Sequence, residues 1–158
     1  MTLILTRIEI DAPPAVVRAK FLDFENLLNY SPDGFIKSIG PKVEGEALIE
    51  GTKMRCVLKG ATMEPVCLEN SPSAFSWRGA LPLGLFTGDH GFRFSPGVSG
   101  PETTIFIHEE QFSGLLAFMI GDNWFARSVG LRRKTEAGFK GFNVDLKSVC
   151  EQWKQEGV

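Results

Sequence analysis

Residues 124–153 read WFARSVGLRRKTEAGFKGFNVDLKSVCEQW, and the second half of this segment has the spacing of an amphipathic helix. Its apolar residues recur every three or four positions, so an α-helix would place them on one face. The charged residues between them would fall on the opposite, solvated face. A long helix with a single apolar stripe needs a large apolar surface to lie on, which the rest of the chain must supply. The residues of the stripe are Phe139, Phe142, Leu146, Val149, Cys150 and Trp153.

The composition indicates one domain, which we take to span residues 1–158. A hydrophobic fraction of 43% and a charged fraction of 23% are typical of a globular protein of this length. The net charge of -2 argues against a surface that binds nucleic acid or an anionic membrane, since either would need an excess of basic residues. The chain has 13 Phe but one Tyr, and Phe adds apolar area without a polar group, so we expect a dry interior.

Cysteine usage and the N-terminus indicate a cytoplasmic protein. Cys56, Cys67 and Cys150 form no C-x-x-C pair, and the first residues do not resemble a secretory leader. No apolar run approaches the roughly 20 residues of a membrane helix, so we expect no stable membrane insertion. The sequence leaves the oligomeric state open between a monomer and a homodimer.

The order of predicted elements indicates an α+β fold. Strand-like alternation over residues 3–11 is followed by a helix at 15–22 and a shorter one near 25–29. From there to residue 113 we predict only strands, which implies a curved antiparallel sheet of about six to seven strands gripping the long C-terminal helix. These later strands are predicted at 35–39, 47–50, 53–59, 63–69, 74–79, 88–95 and 103–113.

Several short motifs carry a resemblance to a known superfamily. They are IEIDAP at 8–13, FSWRG at 75–79, GDHGF at 88–92 and HEEQFSG at 108–114. With them the chain resembles the Bet v 1-like helix-grip superfamily, also called START-like or SRPBCC, which includes polyketide cyclase/dehydrase and lipid-transfer relatives. It departs from the pattern at Ser31, where many relatives carry a Trp that packs near the short helices. The resemblance implies a cavity between sheet and C-terminal helix that holds a small hydrophobic molecule.

Alternation along the last two strands predicts which side chains face that cavity. His90, Phe92 and Phe94 share one face, and the charged Arg93 between them should face water. On the partner strand Phe106, His108, Glu110 and Phe112 share a parity, although a single bulge would reverse their direction. The predicted ligand-binding wall comprises Met54, Phe75, Trp77, Phe92, Phe94, Phe106, Phe112, Phe139, Phe142, Asn143 and Leu146.

His90, Glu110 and, in support, His108 are the candidate catalytic residues. Two imidazoles and a carboxyl group in apolar surroundings have shifted pKa values and can exchange protons near neutral pH. The structural alternative is that they hydrogen-bond across the strands and only hold the shape of the sheet. A metal site is a weaker alternative, since H-E-x-x-F at 108–112 lacks the second His and the helical geometry of H-E-x-x-H. We therefore expect no metal and no other cofactor.

Two hypotheses about function remain. The first is a non-catalytic binder or carrier of a small hydrophobic molecule, which needs only the cavity. The second is a cofactor-independent cyclase, isomerase or dehydratase that acts on a polyketide-like or terpenoid-like substrate with a His/Glu pair.

Two apolar connections flank the last pair of strands. Segment 79–91 is interpreted as a mobile loop at the cavity mouth or as a plain strand connection with buried leucines. Segment 114–124 is apolar enough to line an entrance or to touch a membrane transiently. The sequence favours the entrance, because the only flanking basic cluster, 132–134, is typical of a solvated helix face.

Overall fold

The computed structural model describes residues 1–121 and 123–157, so Asp122 of segment 114–124 and Val158 lie outside the described residues. It confirms the α+β class and the helix-grip arrangement. The strands are Thr2–Ile10 (β1), Ile36–Pro41 (β2), Met54–Leu58 (β3), Ala61–Met63 (β4), Val66–Asn70 (β5), Ala74–Ala80 (β6), Thr87–Gly97 (β7) and Gly100–Ser113 (β8). The helices are Pro14–Leu22 (α1), Leu27–Tyr30 (α2), Trp124–Val129 (α3) and Leu131–Glu156 (α4), with 3-10 turns at Phe24–Asn26, Pro82–Gly84 and Ala117–Met119.

All strand pairs are antiparallel and form two sheets that continue into each other. The larger sheet has the order β1-β8-β7-β6-β5, and the smaller has the order β2-β3-β4. Backbone bonds connect them, since Met54 N donates to Pro65 O at 2.8 Å and Cys67 N donates to Thr52 O at 2.9 Å. α4 lies along β1, and α1 lies between α4 and strands β7 and β8. The two connected sheets thus form one curved surface that wraps around α1 and α4.

The described residues form eight strands, against about six to seven predicted for the sheet and eight segments predicted individually. The division of the predicted strand 63–69 into two offsets the loss of the predicted strand 47–50. Pro65 has no N–H for the ladder, and β4 ends two residues before it. The predicted strand 47–50 was wrong, because this segment is an irregular loop. The Thr52 hydroxyl holds the loop by donating to Ala47 O at 2.9 Å and accepting from Ile49 N at 3.2 Å.

The C-terminal segment is two helices rather than one. Gly130 adopts a left-handed conformation with φ 67°, which a side chain would disfavour, and it separates α3 from α4. The predicted apolar stripe holds for Phe139, Phe142, Leu146 and Cys150, which are buried. Trp153 is 41% exposed, so the stripe loses contact with the core in the last turns.

Ser31, which stands where many relatives carry Trp, is fully buried and joins α2 to α4. Its hydroxyl donates to the Asp145 carboxylate at 2.6 Å. A neighbouring backbone bond from Ser31 N to Leu27 O closes α2. A hydrogen bond to a charged group therefore seats the short helix on the long one here.

Phe21 fills the centre of the grip. It extends from α1 into the concave face, where its ring centroid lies 4.4 Å from Phe92, 5.6 Å from Phe94 and 5.7 Å from Phe75. On the helix side it meets Phe142 at 6.1 Å. The space between sheet and α4 is therefore packed with aromatic rings at this level, and α1 is part of the core.

Replacing this ring tests how much of the packing depends on it. We expect Phe21→Ala to lower the free energy of unfolding by about 3–5 kcal/mol, because it removes a buried aromatic ring and leaves a cavity. Urea denaturation followed by circular dichroism measures the loss. The control Leu28→Ala removes a side chain that is 51% exposed and should cost about 0.5 kcal/mol. Similar losses for both variants would contradict a central role for Phe21.

Candidate functional site

Pairing between β7 and β8 sets the direction of every candidate side chain. His90 lies opposite Glu110 and Phe92 lies opposite His108, and the register shifts only near the hairpin turn, between Pro96 and Gly97. No bulge intervenes along the described pairing around these residues, so the predicted inward parity holds. His90 is 5% exposed and His108 is fully buried, while the side chain of Glu110 is 16% exposed.

The inward polar groups form a continuous chain across the core. Glu110 Oε2 lies 3.4 Å from His90 Nδ1, and His90 Nε2 lies 2.6 Å from His108 Nε2. His108 Nδ1 is 3.0 Å from Asn143 Oδ1 on α4. Asn143 Nδ2 donates to Thr6 Oγ1 of β1 at 2.9 Å, and Thr6 Oγ1 donates to the backbone carbonyl of His108 at 3.2 Å. The chain thus runs from a partly exposed carboxyl group to a buried carbonyl oxygen.

That buried carbonyl fixes the direction of every bond in the chain. A carbonyl oxygen only accepts, so Thr6 must donate to it and must accept from the Asn143 amide N–H. The amide oxygen then faces His108 and requires a proton on Nδ1, which leaves His108 Nε2 as an acceptor for His90 Nε2–H. His90 Nδ1 is consequently bare in the neutral ring and faces Glu110. The partner that suits it is a protonated carboxyl group.

Burial shifts the pKa values of His90, His108 and Glu110 in the directions that favour neutral imidazoles and a protonated carboxyl group. It lowers the pKa of His90 well below its usual value, with His108 adding to the effect, and it lowers the pKa of His108 to about 3. Burial raises the pKa of Glu110 to about 8, with a further rise from the nearby Asp89 carboxylate. At pH 7 the three groups are therefore two neutral imidazoles and one neutral carboxylic acid.

Aromatic rings enclose the two imidazoles. The His108 ring stacks on Phe139 with a centroid distance of 3.9 Å and an angle of 13°. His90 lies 4.7 Å from Trp77, 4.9 Å from Phe92 and 5.0 Å from Phe139. These rings exclude water from both histidines, and this desolvation is the main cause of their lowered pKa values.

Two glycines make room for the carboxyl group. Gly79 of β6 and Gly88 of β7 are paired and face the interior. A Cβ on Gly88 would lie 2.5 Å from Glu110 Oε1, and one on Gly79 would collide with the methyl group of Met63. Glu110 and Met63 therefore occupy space that two missing side chains leave open, at the end of the sheet where Phe35 and Phe86 are half-buried. We call this region the mouth, defined by Glu110, Met63, Phe35 and Phe86.

The residues predicted to bind a ligand lie in the core, but they pack against one another. A cavity of about 10 Å³, room for about one water molecule, remains beside Phe21, Tyr30, Trp77 and Phe142. The structure thus brings the predicted ligand-binding residues together, but their side chains fill the space that a ligand would need. None of the following is more than 4% exposed: Met54, Phe75, Trp77, Phe92, Phe94, Phe106, Phe112, Phe139, Phe142, Asn143 and Leu146.

Sequence reasoning missed several residues of the site. Thr6 has a usable signal, because it is a polar residue at an inward position of β1 between Ile4 and Ile8. Phe21 and Phe35 have no such signal in the sequence, since neither belongs to a clear alternating pattern.

Within residues 1–121 and 123–157 there is no group of three or more His, Cys, Asp or Glu arranged to hold a metal ion. Those residues also include no helix with the length and apolar character needed to span a bilayer.

Comparison with known proteins agrees with this architecture. The profile of a family described as polyketide cyclase / dehydrase and lipid transport matches residues 1–151. A comparison with curated protein sequences gives no significant match.

Among solved structures, a hypothetical protein from Helicobacter pylori superposes with a TM-score of 0.72 at 13% identity, covering 94% of this chain and 88% of that one. The Zhui aromatase/cyclase from a Streptomyces species gives 0.69 at 14% identity, covering 96% and 94%. A START superfamily protein from Mycobacterium smegmatis gives 0.66 at 13% identity, covering 95% and 97%. At such low identity these matches show the fold alone.

The raised pKa of Glu110 predicts an unusual dependence of stability on pH. Above about pH 4.5 the unfolded chain releases this proton, whereas the folded protein keeps it until about pH 8. The folded state then binds more protons, so its stability falls as the pH rises. Relative to Glu110→Gln, which keeps a neutral donor, we expect the wild type to lose on the order of 3 kcal/mol between about pH 5 and pH 8.

Chemical denaturation at several pH values measures this difference. The two histidines titrate in the opposite sense, but both proteins carry them, so their contribution cancels in the comparison. Glu109→Gln is the matched control, because Glu109 pairs with Arg93 away from the His90–His108 chain. It should keep the wild-type profile. Parallel profiles for the wild type and Glu110→Gln would show that Glu110 is ionised at neutral pH.

Proposed function

The chain belongs to the polyketide cyclase/dehydrase and lipid transport family, and we propose that it binds a small hydrophobic molecule whose polar acceptor group is held by the neutral carboxyl group of Glu110. One observation carries this proposal: the largely buried carboxyl group of Glu110, whose pKa is raised to about 8, lies at the mouth 3.4 Å from His90, where a chain of hydrogen bonds with a fixed direction begins. Family membership supports hydrophobic ligand binding in general. The acceptor group is what this chain's own geometry adds.

The carboxyl proton of Glu110 is available to a ligand. Its distance of 3.4 Å from His90 Nδ1 is long for a hydrogen bond, so the resting interaction is weak. A ketone, aldehyde or ester carbonyl at the mouth would accept this proton's hydrogen bond at normal length. In apolar surroundings such a bond selects strongly for molecules that have the acceptor.

Room for the ligand must come from side chains at the mouth. Met63 is unbranched and half-buried, and its methyl group fills the space over Gly79. Phe35 is half-buried and lies over both imidazoles, with centroid distances of 6.4 Å to His90 and 6.1 Å to His108. Displacement of these two side chains would open a path to Glu110 while the rings around Phe21 stay packed.

The fixed direction of the chain favours binding over proton transfer. If Glu110 released its proton, its carboxylate would face the bare Nδ1 of His90, which offers it no hydrogen bond. The chain therefore stabilises the acid and opposes the carboxylate. This agrees with the raised pKa of Glu110. It supports a binding role in which Glu110 donates a hydrogen bond to the ligand and keeps its proton.

A second candidate function is a cofactor-independent cyclase, isomerase or dehydratase for a polyketide-like or terpenoid-like substrate. The observation in its favour is that a pKa of about 8 lies near the working pH, where a general acid is efficient. In that reaction the O–H bond of Glu110 breaks and a new O–H bond forms on the substrate carbonyl oxygen. His90 and His108 would hold the acid in place.

A matched pair of probes tests the acceptor preference. We expect the wild type to bind 2-acetylnaphthalene about tenfold more tightly than 2-ethylnaphthalene, because only the ketone accepts the Glu110 hydrogen bond. Isothermal titration calorimetry measures both affinities. The preference should survive in Glu110→Gln and vanish in Glu110→Leu, while Glu109→Gln leaves it unchanged. Equal affinities for both probes in the wild type would refute the role of Glu110.

Proton transfer gives a separate readout. For a binder, NMR should show that the acetyl protons of 2-acetylnaphthalene exchange with deuterated water at the same rate with and without protein. An enzyme of the second kind would accelerate this exchange, because Glu110 would give its proton to the carbonyl oxygen while a water molecule takes an acetyl C–H proton, which forms the enol. The return to the ketone would add deuterium from the solvent at carbon and restore the proton of Glu110. Glu110→Gln would then abolish the acceleration and keep the affinity. Acceleration that Glu110→Gln removes would replace the binding proposal with the enzymatic one.

A further inference from the structure

One end of the molecule exposes a cluster of large apolar side chains. We call it the apolar tip, and its residues are Leu81, Leu83, Leu115, Phe118 and Trp124. Leu83 is 95% exposed, Trp124 is 75% exposed and Leu115 is 73% exposed. The sequence favours an entrance lining for segment 114–124 and leaves segment 79–91 open between a loop at the cavity mouth and a plain connection with buried leucines. The structure turns these side chains to solvent. Exposed apolar clusters of this kind mark interaction surfaces.

Two loops build the tip, and they are held together by backbone contacts. Leu115 N donates to Gly84 O at 3.3 Å, and Leu116 N donates to Leu85 O at 2.7 Å. Gly114, at φ 97°, allows this approach, because a Cβ there would lie 2.8 Å from Gly84 O. The loops before β7 and after β8 therefore form one surface.

Leu83 supports a role for this surface in contacts outside the chain. Its φ of 60° and ψ of 22° lie in the left-handed region, and no other non-glycine residue of the described chain has a positive φ. A branched apolar residue is disfavoured there, and glycine or asparagine would fit better. Because the side chain is almost fully exposed, packing within the protein does not compensate for this conformation.

Basic residues lie beside the tip, although the whole chain has a net charge of -2. Residues 81–88 carry no charge, and residues 114–134 carry four basic residues against one acidic residue. Three of the basic residues, 132–134, stand in the first turn of α4, which has no acidic residue. Cations are unfavourable at a helix N-terminus, so an anionic partner would relieve this arrangement.

Packing places these charges next to the apolar side chains. Leu131, the first residue of α4, packs against a buried cluster that includes Ala117 and Ile120, and Phe86 from the other loop of the tip packs against the same cluster. Arg133 and Lys134 lie two and three residues after Leu131 and are exposed. The surface thus combines Leu, Phe and Trp side chains with adjoining cations.

We propose that the apolar tip docks on the surface of an anionic lipid bilayer. Leu, Phe and Trp side chains insert at the boundary between headgroups and acyl chains, and nearby Arg and Lys side chains attract anionic headgroups. A second copy of the chain fits less well, because a twofold contact through this patch would bring the basic groups together. The docking is peripheral and does not depend on what the interior binds.

Vesicle flotation with the full chain tests this proposal. We expect the wild type to float with phosphatidylcholine vesicles that contain phosphatidylglycerol, and much less with phosphatidylcholine alone. Leu83→Ser with Leu115→Ser should reduce the bound fraction at least about tenfold, because two inserting side chains are lost. Arg133→Glu with Lys134→Glu should reduce binding by about fivefold or more per residue, and only on anionic vesicles.

Val98→Ser is the matched control. Val98 is 84% exposed at the turn between β7 and β8, and β7 has 11 residues, so it lies roughly 30 Å from the tip at about 3.3 Å per residue. This variant should bind like the wild type. Near-ultraviolet circular dichroism confirms that each variant is folded.

Tryptophan fluorescence gives an independent readout. Trp77 is buried, and the half-exposed Trp153 lies 22 residues after the start of α4, roughly 33 Å from the tip at about 1.5 Å per residue. A blue shift on vesicle addition should therefore come from Trp124 and should disappear in Trp124→Phe, whereas Trp153→Phe should keep it. Wild-type protein that stays unbound on anionic vesicles would overturn the proposal. So would binding that the two leucine substitutions leave unchanged. A wild-type dimer in size-exclusion chromatography that those substitutions dissociate, without vesicle binding, would assign the tip to a protein contact.

Discussion

The antiparallel pairing of β7 with β8, free of bulges from Thr87 to Pro96, is the constraint on which the other features depend. A slip of one residue would exchange the two faces of a strand. If β7 slipped in this way, His90 would point to water and Arg93 would point into the aromatic core, while Glu110 on β8 would lose its partner. The pairing is stabilised on both faces, because Phe92 and Phe94 are buried inside while Arg93 pairs with Glu109 outside. The site thus follows from the register of one hairpin.

Burying the polar row from His90 through His108 and Asn143 to Thr6 is tolerable here because its hydrogen bonds are satisfied without charge. An ionised pair in this aromatic surrounding would carry a desolvation penalty of several kcal/mol per ion, whereas neutral groups with partners carry little. Asn143 and Thr6 are essential to this, since they fix the proton on His108 and through it the proton on His90. Tyr30 behaves differently, because within the described residues its buried hydroxyl has no hydrogen-bond partner.

The parts of the structure that sequence could predict are those with a strict local period. Because Arg93 lies between Phe92 and Phe94, the alternation determines which side chains of β7 face the core. The apolar stripe from Phe139 to Cys150 likewise determines which face of α4 is buried. Where the period is weak, prediction fails. α1 is apolar on several sides, so its sequence does not show that Phe21 reaches the centre of the core. The bond between Thr6 and Asn143 joins positions 137 residues apart and depends on how α4 lies on β1.

The direction of the same hairpin also explains why the candidate site and the apolar tip lie at one end. β7 begins and β8 ends at the side opposite the turn, so the loops before and after them are necessarily neighbours. Glu110 is four residues before Gly114, where the second of these loops starts. The closed end of the hairpin, at residues 98–99, carries none of the inward polar groups. Rigid paired strands therefore position the buried acid, while the irregular loops beside it are free to present apolar side chains outward.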